Sequence, residues 1–533
     1  MTFEDKLNQP ERFMLGVELV STRGTLAESK AERIIQFSRD LAASPKVDWV
    51  SITDNAGGNP MLAPAALGRP LLEAGGDVVI HLSCKDFNRN GLESETWHLA
   101  SEGFHNLLVL TGDAAGRGIA GGAKQVFDID SIGLLTLLRH MNEGLDNTRP
   151  GSKKALRLAP TRFNCGAVVT NFKLHENEVI PQLLKLEKKI EAGARWVINQ
   201  IGYDARKMSE LIAWIQQRGF GQIPLFGNVY VLTPTVARLF RSQKIPGVVI
   251  SDELAEVCEQ QAHSEDKGRA FFRDLAARQV AIYRGLGYRG AYLGGVHNMA
   301  ELELLLDAIE SYEGCEWRDL VPSLSYSRPG EFFCFEKQEQ LNLADPDRIN
   351  ESYLASLQKP GNNRNVTWNY RLSKFTHDLM FTPGKGLWNA GKKICGGAKD
   401  PMQGPAWMRT VEHAGKSLMF GCKDCGDCSL PDIAFLCPES ACAKNQRNGP
   451  CGGTRDGKCE VEDFECIWSR AYDRLKSEGR EQELLSHAPV IQNQSLRGTS
   501  SWANTWLERD HQFHPVDNGQ IPISNSTTPP SSS

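Results

Sequence analysis

Long apolar runs and an excess of positive charge are both missing from this sequence. No run of about eighteen apolar residues occurs, so no membrane-spanning helix is expected. The first residues, 1–12, are charged and lack the apolar stretch of a signal peptide, which predicts a cytoplasmic protein. The formal net charge is -5, so neither nucleic acid nor an anionic membrane is an expected partner.

Cysteines are sparse over most of the chain and then crowd together. Of the 14 cysteines, five precede residue 394, and the other nine lie between Cys395 and Cys466. In a reducing compartment, cysteines at such close spacing are more typical of metal ligands than of disulfides. The crowded stretch is therefore predicted to bind metal.

The remaining composition indicates a globular protein of more than one domain. The chain has 533 residues, of which 41% are hydrophobic and 23% are charged, and it contains no internal repeats. Eight short apolar runs are candidate strands: 13–20, 47–53, 77–83, 106–113, 162–170, 196–202, 224–231 and 290–296. Amphipathic helical segments lie between them, as at 131–142 and 179–192. This alternation predicts a (β/α)₈ TIM barrel, and an open, doubly wound α/β sheet is the alternative that periodicity leaves open.

Changes in composition suggest where the domains end. The barrel is predicted to occupy 1–311, followed by a proline-containing connecting elaboration over 312–375. The cysteine-rich, metal-binding domain is predicted over 376–475, and a helical extension and tail over 476–533. From about Gln512 the tail is polar and is predicted to be disordered.

Polar groups at the predicted strand ends are the candidate site residues, because barrel active sites lie at the carboxyl ends of the strands. Glu18 stands within the first apolar run, and a carboxyl buried there keeps its proton longer, as a general acid requires. His81 ends the third run, Asp113 the fourth and Gln200 the sixth. Each residue also has an ordinary structural interpretation. Glu18 could form an ion pair in the core, His81 could form a core hydrogen bond, and Asp113 and Gln200 could simply mark strand ends.

Taken in order, these residues resemble the methylenetetrahydrofolate reductase family over roughly residues 10–310. The matching residues are Glu18, Val50-Ser51-Ile52-Thr53, His81-Leu82-Ser83-Cys84, Leu110-Thr111-Gly112-Asp113 and the stretch from Lys188 to Ala194, with Asn199-Gln200 beyond it. The resemblance implies a flavin-containing (β/α)₈ enzyme of one-carbon metabolism. Such an enzyme reduces methylenetetrahydrofolate to methyltetrahydrofolate, a reaction that supplies methionine biosynthesis.

The resemblance also implies roles for individual residues. Glu18 would be the general acid, Asp113 would stabilise charge beside flavin and folate, and Gln200 would bind the pterin. The positions that hold the flavin are matched by Thr53, His81, Leu110, Thr111, Gly112, Asp113 and Lys189. The implied flavin is FAD, with FMN as the alternative, and the electron donor is NAD(P)H or reduced ferredoxin.

Three departures from the family pattern stand close to these residues. Val20-Ser21-Thr22-Arg23 replaces a Pro-Pro pair that often follows the catalytic Glu. Gln182 and Lys185 replace the polar residues that usually contact the flavin just ahead of the Lys-Lys pair. The loop over 53–60 is also distinctive. These changes leave the flavin type and the electron donor open.

The cysteine-rich stretch, roughly 376–475, is similar to the C-terminal domain found on some methylenetetrahydrofolate reductases and their partner subunits. The similarity is carried by Gly421-Cys422-x-x-Cys425-Gly426-Asp427-Cys428, Cys437-Pro438, the stretch from Lys444 to Asn448-Gly449-Pro450-Cys451-Gly452-Gly453, Gly457-x-Cys459-Glu460 and Cys466-x-Trp468. The predicted metal ligands are Cys422, Cys425, Cys428, Cys437, Cys442, Cys451, Cys459 and Cys466. The last four either complete a second site or add a ligand to the first.

Iron–sulfur and zinc are both implied, and the C-x₂-C-x₂-C triplet favours iron–sulfur. A cluster would admit electrons to the flavin, whereas zinc would stabilise the fold. Two other functions stay open beside the reductase. One is a folate-binding or methyl-transfer protein, and the other is a docking subunit whose cysteine domain recruits a ferredoxin-type electron carrier. Assembly into a homo-oligomer is also left open.

Overall fold

The computed structural model describes residues 1–114, 117–118, 121–147, 154, 156–242, 245–358, 363–398, 400 and 403–514. The predicted disordered tail lies almost entirely beyond these residues. The chain forms two compact units. The first contains Met1–Gly361 and Cys442–Arg470, and the second contains Asn362–Ala441 and Ala471–Ser533. The predicted cysteine-rich domain is therefore distributed over both units.

A closed barrel of eight parallel strands forms the first unit. Its strands are β1 (Met14–Leu19), β2 (Trp49–Ile52), β3 (Val78–Ser83), β4 (Asn106–Leu110), β5 (Asn164–Val169), β6 (Trp196–Asn199), β7 (Leu225–Tyr230) and β8 (Gly290–Gly294). Each strand pairs with the next along the chain, and β8 pairs with β1 to close the ring. The prediction of a (β/α)₈ barrel is confirmed, and the open sheet is excluded.

Helices follow the strands around the barrel. They are α1 (Phe3–Leu7), α2 (Ser29–Ala43), α3 (Pro64–Glu73), α4 (Arg89–Ser101), α5 (Ser131–Glu143), α6 (Glu176–Glu191), α7 (Ala205–Gln217), α8 (Pro234–Arg241), α9 (Asp252–Ala262), α10 (Arg269–Leu286) and α11 (Met299–Glu310). Side-chain caps begin several of them; Asp130, for example, accepts hydrogen bonds from the backbone of Ile132 and Gly133 at the start of α5.

Large aromatic side chains fill the end of the barrel where the strands begin. Phe3 packs against Trp49, Trp196 and Phe226, and all four are buried. Glycine makes the room, because a Cβ at Gly16 would lie 2.1 Å from the Trp49 ring. This apolar end leaves the opposite end, where the strands finish, for polar residues.

The predicted connecting elaboration has short elements of its own. A 3₁₀ helix spans Trp317–Leu324, and the strands Phe335–Lys337 and Ala344–Ile349 pair antiparallel. Helix α12 (Glu351–Gln358) follows. Glu210 on α7 holds this segment, since its carboxylate accepts the backbone N–H of Cys334 over 2.5 Å.

The second unit consists mainly of helices. They are α13 (Trp368–Met380), α14 (Trp388–Gly396), α15 (Ala406–Phe420), α16 (Pro438–Ala441) and α18 (Ser501–Trp506); α17 (Ile467–Lys476) begins in the first unit and ends in the second. Trp388, Met408 and Trp506 form its buried core. Across the parts of both units that are described, no helix has the length and apolar character needed to cross a membrane.

Candidate active site and cysteine sets

The strand ends bring most of the predicted site residues to one rim of the barrel. Glu18 lies near the end of β1, His81 lies in β3, and Gln200 directly follows β6. Thr53 follows β2, and Thr111 to Asp113 follow β4. Because all eight strands are parallel, their carboxyl ends share this rim. Lys189 differs, since it lies on α6 and its Nζ donates to the carbonyl oxygen of Val168 over 2.6 Å.

Glu18 is half-buried and makes one weak hydrogen bond among the residues that are described. The hydroxyl of Tyr292 on β8 donates to its Oε1 over 3.4 Å. Burial raises the pKa of Glu18 to about 7, and the Tyr292 hydroxyl opposes that rise. Gly294 leaves room for the carboxyl, because a Cβ there would lie 3.0 Å from Glu18 Oε2. The carboxyl can therefore hold and release a proton near neutral pH.

His81 is a neutral, buried side chain. Its Nε2 lies 2.6 Å from the hydroxyl oxygen of Ser51 on β2. Burial lowers the pKa of His81 to about 4, so the ring carries no charge at neutral pH. The ring is suited to hydrogen bonding with an uncharged group and not to pairing with an anion.

The distinctive loop over 53–60 folds against Asp113. Asn55 and Gly57 take left-handed backbone conformations, with φ of 44° and 65°. This turn aims the Gly57 N–H at Asp113, and it donates to Oδ2 over 3.0 Å. Burial raises the pKa of Asp113, while the nearby Lys444 ammonium lowers it. Asp113 thus has two partners, one of which lies far away in sequence.

Lys444, which the sequence marks only as part of the match to the C-terminal domain, lies at the barrel rim. Its Nζ donates to the carbonyl oxygen of Gly112 over 2.8 Å and forms an ion pair with Glu460. Nearby, the side-chain oxygens of Gln446 and Thr111 are 3.5 Å apart. A segment of the cysteine-rich stretch therefore contacts two residues that the family resemblance assigned to the flavin.

Lys185, a departure from the family pattern, binds this same segment. Its Nζ donates to Gln446 Oε1 and to the carbonyl oxygens of Gly449 and Pro450, over 3.0 to 3.1 Å. Gln182 lies on the same helix, and its Nε2 is 4.0 Å from the position a Cβ would take at Gly452. These two substitutions are thus explained by contact with residues 446–452.

Asp130 fixes the segment from a second side. While capping α5, its carboxylate also accepts hydrogen bonds from the backbone N–H groups of Arg447 and Asn448, over 3.2 and 2.9 Å. The side-chain amide of Asn448 donates to it as well. One buried carboxylate therefore joins a barrel helix to the cysteine segment. The sequence signal was only an Asp ahead of a helix, which is a common cap.

Gln200 lies on the rim beside the loop that contains Gly247. Its Oε1 accepts the backbone N–H of Ile201 over 2.9 Å. A Cβ at Gly247 would lie 2.9 Å from Gln200 Nε2 and 3.6 Å from the carbonyl oxygen of Gly452. Glycine at 247 therefore keeps space beside the amide.

The predicted metal ligands separate into two sets of four. Cys442, Cys451, Cys459 and Cys466 belong to the first unit, and Cys422, Cys425, Cys428 and Cys437 to the second. For the residues that are described, no group of three or more Cys, His, Asp or Glu side chains is already arranged as ligands of one ion. The residues around each set therefore decide whether it suits thiolates bound to metal.

Hydrogen-bond donors and buried lysines surround the sulfurs of the first set. Backbone N–H groups donate to the sulfurs of Cys442, Cys451 and Cys459 over 3.4 to 3.5 Å, and the Thr454 hydroxyl donates to Cys466 over 3.2 Å. Burial lowers the pKa of Lys173 and Lys185, and negative charge at Cys451 would oppose this effect. A cluster or ion held by thiolates carries negative charge, so these surroundings fit it.

The second set is supported by a short tight loop. Gly426 has φ of 73°, and a Cβ there would lie 1.8 Å from the carbonyl oxygen of Leu496. The neighbouring Asp427 is paired with His511, whose other ring nitrogen lies 2.9 Å from Asp432. Lys416 Nζ lies 3.9 Å from Cys428 Sγ. These contacts hold the C-x₂-C-x₂-C loop in place beside a cation.

Two families match the chain in the regions that form these sites. The family described as methylenetetrahydrofolate reductase matches residues 6–283, and the one described as methylene-tetrahydrofolate reductase C terminal matches residues 405–494. Among curated proteins, none matches the chain.

Part of the chain is similar to several solved structures, including the following two. An uncharacterized protein from Clostridium thermocellum that binds two copies of 5-methyl-5,6,7,8-tetrahydrofolic acid is 12% identical, with a TM-score of 0.42, covering 58% of this chain and 97% of that one. A candidate deoxyribose-phosphate aldolase from Toxoplasma gondii is 13% identical, with a TM-score of 0.28, covering 58% and 98%. At these TM-scores neither structure bears on function. The first family match, however, spans more than half of the residues, and the chain therefore belongs to the methylenetetrahydrofolate reductase family.

Proposed function

We propose that this chain reduces methylenetetrahydrofolate to methyltetrahydrofolate, with Glu18 as the proton donor. Family membership supports the reaction class. The observation that carries the proposal is the half-buried Glu18 carboxyl near the end of β1, with the Tyr292 hydroxyl 3.4 Å from its Oε1, and burial raises its pKa to about 7. A general acid works best when its pKa lies near the working pH.

The proposed reaction adds one proton and one hydride to the folate. The Glu18 carboxyl gives its proton to N10, the bond from N10 to the one-carbon bridge breaks, and an iminium cation forms at N5. A bound, reduced flavin would supply the hydride that converts this iminium to a methyl group. Solvent then reprotonates Glu18, so the carboxyl is restored after each turnover.

Other rim residues would position the reactants and balance charge. Asp113, held by the Gly57 N–H, would stabilise the positive iminium. Gln200 would hydrogen-bond the pterin through its amide. Gly112 has φ of 90°, and a Cβ there would crowd Ser83 and Lys85 at 3.1 and 3.0 Å, so the glycine keeps the backbone accessible to a flat ring.

The flavin would be held by Thr53, His81, Leu110, Thr111, Gly112 and Lys189. Burial lowers the pKa of Lys189 to about 7, so a bound anion such as a flavin phosphate would stabilise its charged form. FAD is the flavin that the family implies, and FMN is the alternative. Heat extraction followed by mass spectrometry distinguishes them.

The first-unit cysteines would hold a metal centre beside this flavin site. Lys444 links the two, because it contacts Gly112 and pairs with Glu460, which lies next to Cys459. An iron–sulfur cluster here would pass electrons to the flavin, and zinc would instead fix the segment in place. Reduced ferredoxin is the donor that fits a cluster, and NAD(P)H is the donor that fits zinc.

The test replaces Glu18 by Gln and measures the two half-reactions separately. Pre-reduced Glu18→Gln protein is expected to lose at least about a hundredfold in the rate of folate reduction, because general acid catalysis contributes roughly that much. Flavin content and flavin reduction should stay unchanged. The matched control is Glu303→Gln, an exposed residue on α11. Normal folate turnover in Glu18→Gln protein would show that another group donates the proton. Protein that binds folate but contains no flavin would favour the methyl-transfer alternative.

A further inference from the structure

Helix α13 in the second unit exposes a row of large apolar side chains. Trp368, Leu372, Phe375 and Leu379 recur at intervals of four, three and four residues, which places them along one side of the helix. Trp368 is 78% exposed and Phe375 is 65% exposed. Side chains of this size are normally buried in a soluble protein unless they contact a partner.

A second apolar row runs along α15. Trp407, Val411 and Leu418 lie on one side of this helix, and Leu418 is 90% exposed. The side-chain amide of Asn369 on α13 donates to the carbonyl oxygen of Met419 over 3.2 Å, so the start of α13 lies beside the end of α15. The two rows, Trp368, Leu372, Phe375, Leu379, Trp407, Val411 and Leu418, are called the apolar face below.

Along the chain, the apolar face leads into the second cysteine set. Helix α15 ends at Phe420, two residues after Leu418, and Cys422 follows two residues later. The backbone N–H of Cys422 donates to the carbonyl oxygen of Lys416, near the end of the helix, over 3.4 Å. A molecule bound at the Leu418 end of the face would therefore lie close to Cys422.

The segment that carries the apolar face is rich in basic residues. Residues 364–423 include ten lysines and arginines and three acidic residues, although acidic residues exceed basic ones in the whole chain. Arg371, Lys385, Lys393 and Lys423 are exposed, and none makes an ion pair with any residue whose placement is described. An apolar face on a basic segment fits a partner whose surface is acidic.

We propose that a small acidic electron-transfer protein docks on the apolar face and reduces the metal centre held by Cys422, Cys425, Cys428 and Cys437. This rests on the proposed function, in which electrons must reach the chain from a donor. Each encounter would oxidise the carrier by one electron and reduce the centre by one. Two such electrons, with one proton from solvent, would reduce the bound flavin to the form that supplies one hydride per folate. The centre must accordingly be iron–sulfur.

The charge pattern and the cysteines favour this occupant over two others. A second copy of the chain would place one basic segment against another, which is repulsive. An anionic membrane would match the charge, but it would deliver no electrons to the cysteines. The aromatic residues of the face, such as Trp368 and Phe375, are of the kind that dominate protein–protein contacts.

The test measures binding and electron transfer with the full-length, anaerobically purified protein. The probe is a reduced bacterial two-cluster ferredoxin, and reduced methyl viologen serves as a small donor that needs no docking surface. Phe375→Ser combined with Leu418→Ser should raise the Kd for ferredoxin at least about tenfold. The rate of reduction by viologen should change less than about twofold. Leu304→Ser, which alters a leucine on α11 that is 51% exposed, is the matched control.

Charge is tested in the same assay. Arg371→Glu combined with Lys393→Glu should weaken ferredoxin binding and flatten its dependence on ionic strength, while Arg33→Glu on α2 should not.

The proposal is overturned by zinc at the second cysteine set. It is also overturned if the apolar-face variants bind ferredoxin as tightly as the control variants do. The same holds if the apolar-face variants lose dimerisation or binding to anionic vesicles and keep ferredoxin binding. If viologen-reduced protein turns over folate while ferredoxin fails to bind, the docking proposal fails and the proposed reductase function stands.

Discussion

Lys444 donates a hydrogen bond to the carbonyl oxygen of Gly112 across 332 positions of sequence, over a distance of 2.8 Å. The contact joins the cysteine-rich segment to the end of β4, where Asp113 follows. A cation at this point lowers the pKa of Asp113 against the effect of burial. The predicted barrel site is thus contacted by a residue from outside the barrel.

Lys444→Met should impair folate reduction more than it impairs folding. The variant loses a charge-assisted hydrogen bond and leaves Glu460 without its cation, a loss of roughly 1–3 kcal/mol. If half of this is expressed in the transition state, kcat/KM for the folate falls about two- to tenfold. Lys458→Met is the control, because its pair with Asp463 is exposed and is worth less than about 1 kcal/mol. Equal kinetics in the two variants would show that Lys444 only holds the segment.

The pH dependence of folate reduction should report the protonation of Glu18. Since the acid must be protonated, the rate with pre-reduced protein should fall as pH rises above about 7, the value to which burial raises the pKa of Glu18. Tyr292→Phe removes a hydroxyl that stabilises the carboxylate, so the pKa of Glu18 should rise and the fall should move to higher pH. Tyr312→Phe, which loses a bond to Asp274, should leave the profile unchanged. A shift to lower pH in Tyr292→Phe would contradict this role.

Asp130→Ala should release the cysteine segment. The variant loses both the cap of α5 and the bonds to Arg447 and Asn448, so chelators should remove metal from the first cysteine set faster. Asp204→Ala is a matched control, because Asp204 caps α7 through Arg206 and Lys207 in the same way and lies outside the segment. Both variants should lose about 1 kcal/mol of stability through the missing cap. Identical rates of metal loss would mean that Asp130 acts only on its helix.

The two cysteine sets should bind metal independently. Cys451→Ala should empty the first-unit site and Cys425→Ala the second-unit site, each lowering bound metal by about half. Metal content of anaerobically purified protein measures this, and Cys315→Ala, an exposed cysteine on the barrel unit, is the control. Complete loss of metal in either single variant would indicate one shared site.

The barrel could be predicted from the sequence because its strands are continuous apolar runs. All eight predicted runs contain a strand, and the structure shortens most of them at the end that meets the rim. The placement of Glu18 and Asp113 followed from the same pattern. Parallel strands in a closed ring have their carboxyl ends at one side, so strand order alone brings these residues together.

Contacts between distant segments could not be predicted from local spacing. Lys444 and Gln446 appeared only as part of the match to the C-terminal domain, and their contacts with Gly112 and Thr111 depend on how the chain returns to the barrel. Lys185 appeared as a departure from the family pattern because its partners, Gly449 and Pro450, lie far along the chain. The eight cysteines looked like one domain because they are close in sequence, and the boundary at Ala441 and Cys442 has no compositional signal.

The boundaries of the two units mean that the chain passes between them three times, after Gly361, Ala441 and Arg470. Neither unit can therefore be removed by shortening the protein from its C-terminal end. Ending translation near residue 361 would also delete Cys442–Arg470 and strip buried Asp130 and Lys185 of their partners in that stretch. The barrel of this protein should consequently be unable to mature until ribosomes have completed the second half of the chain.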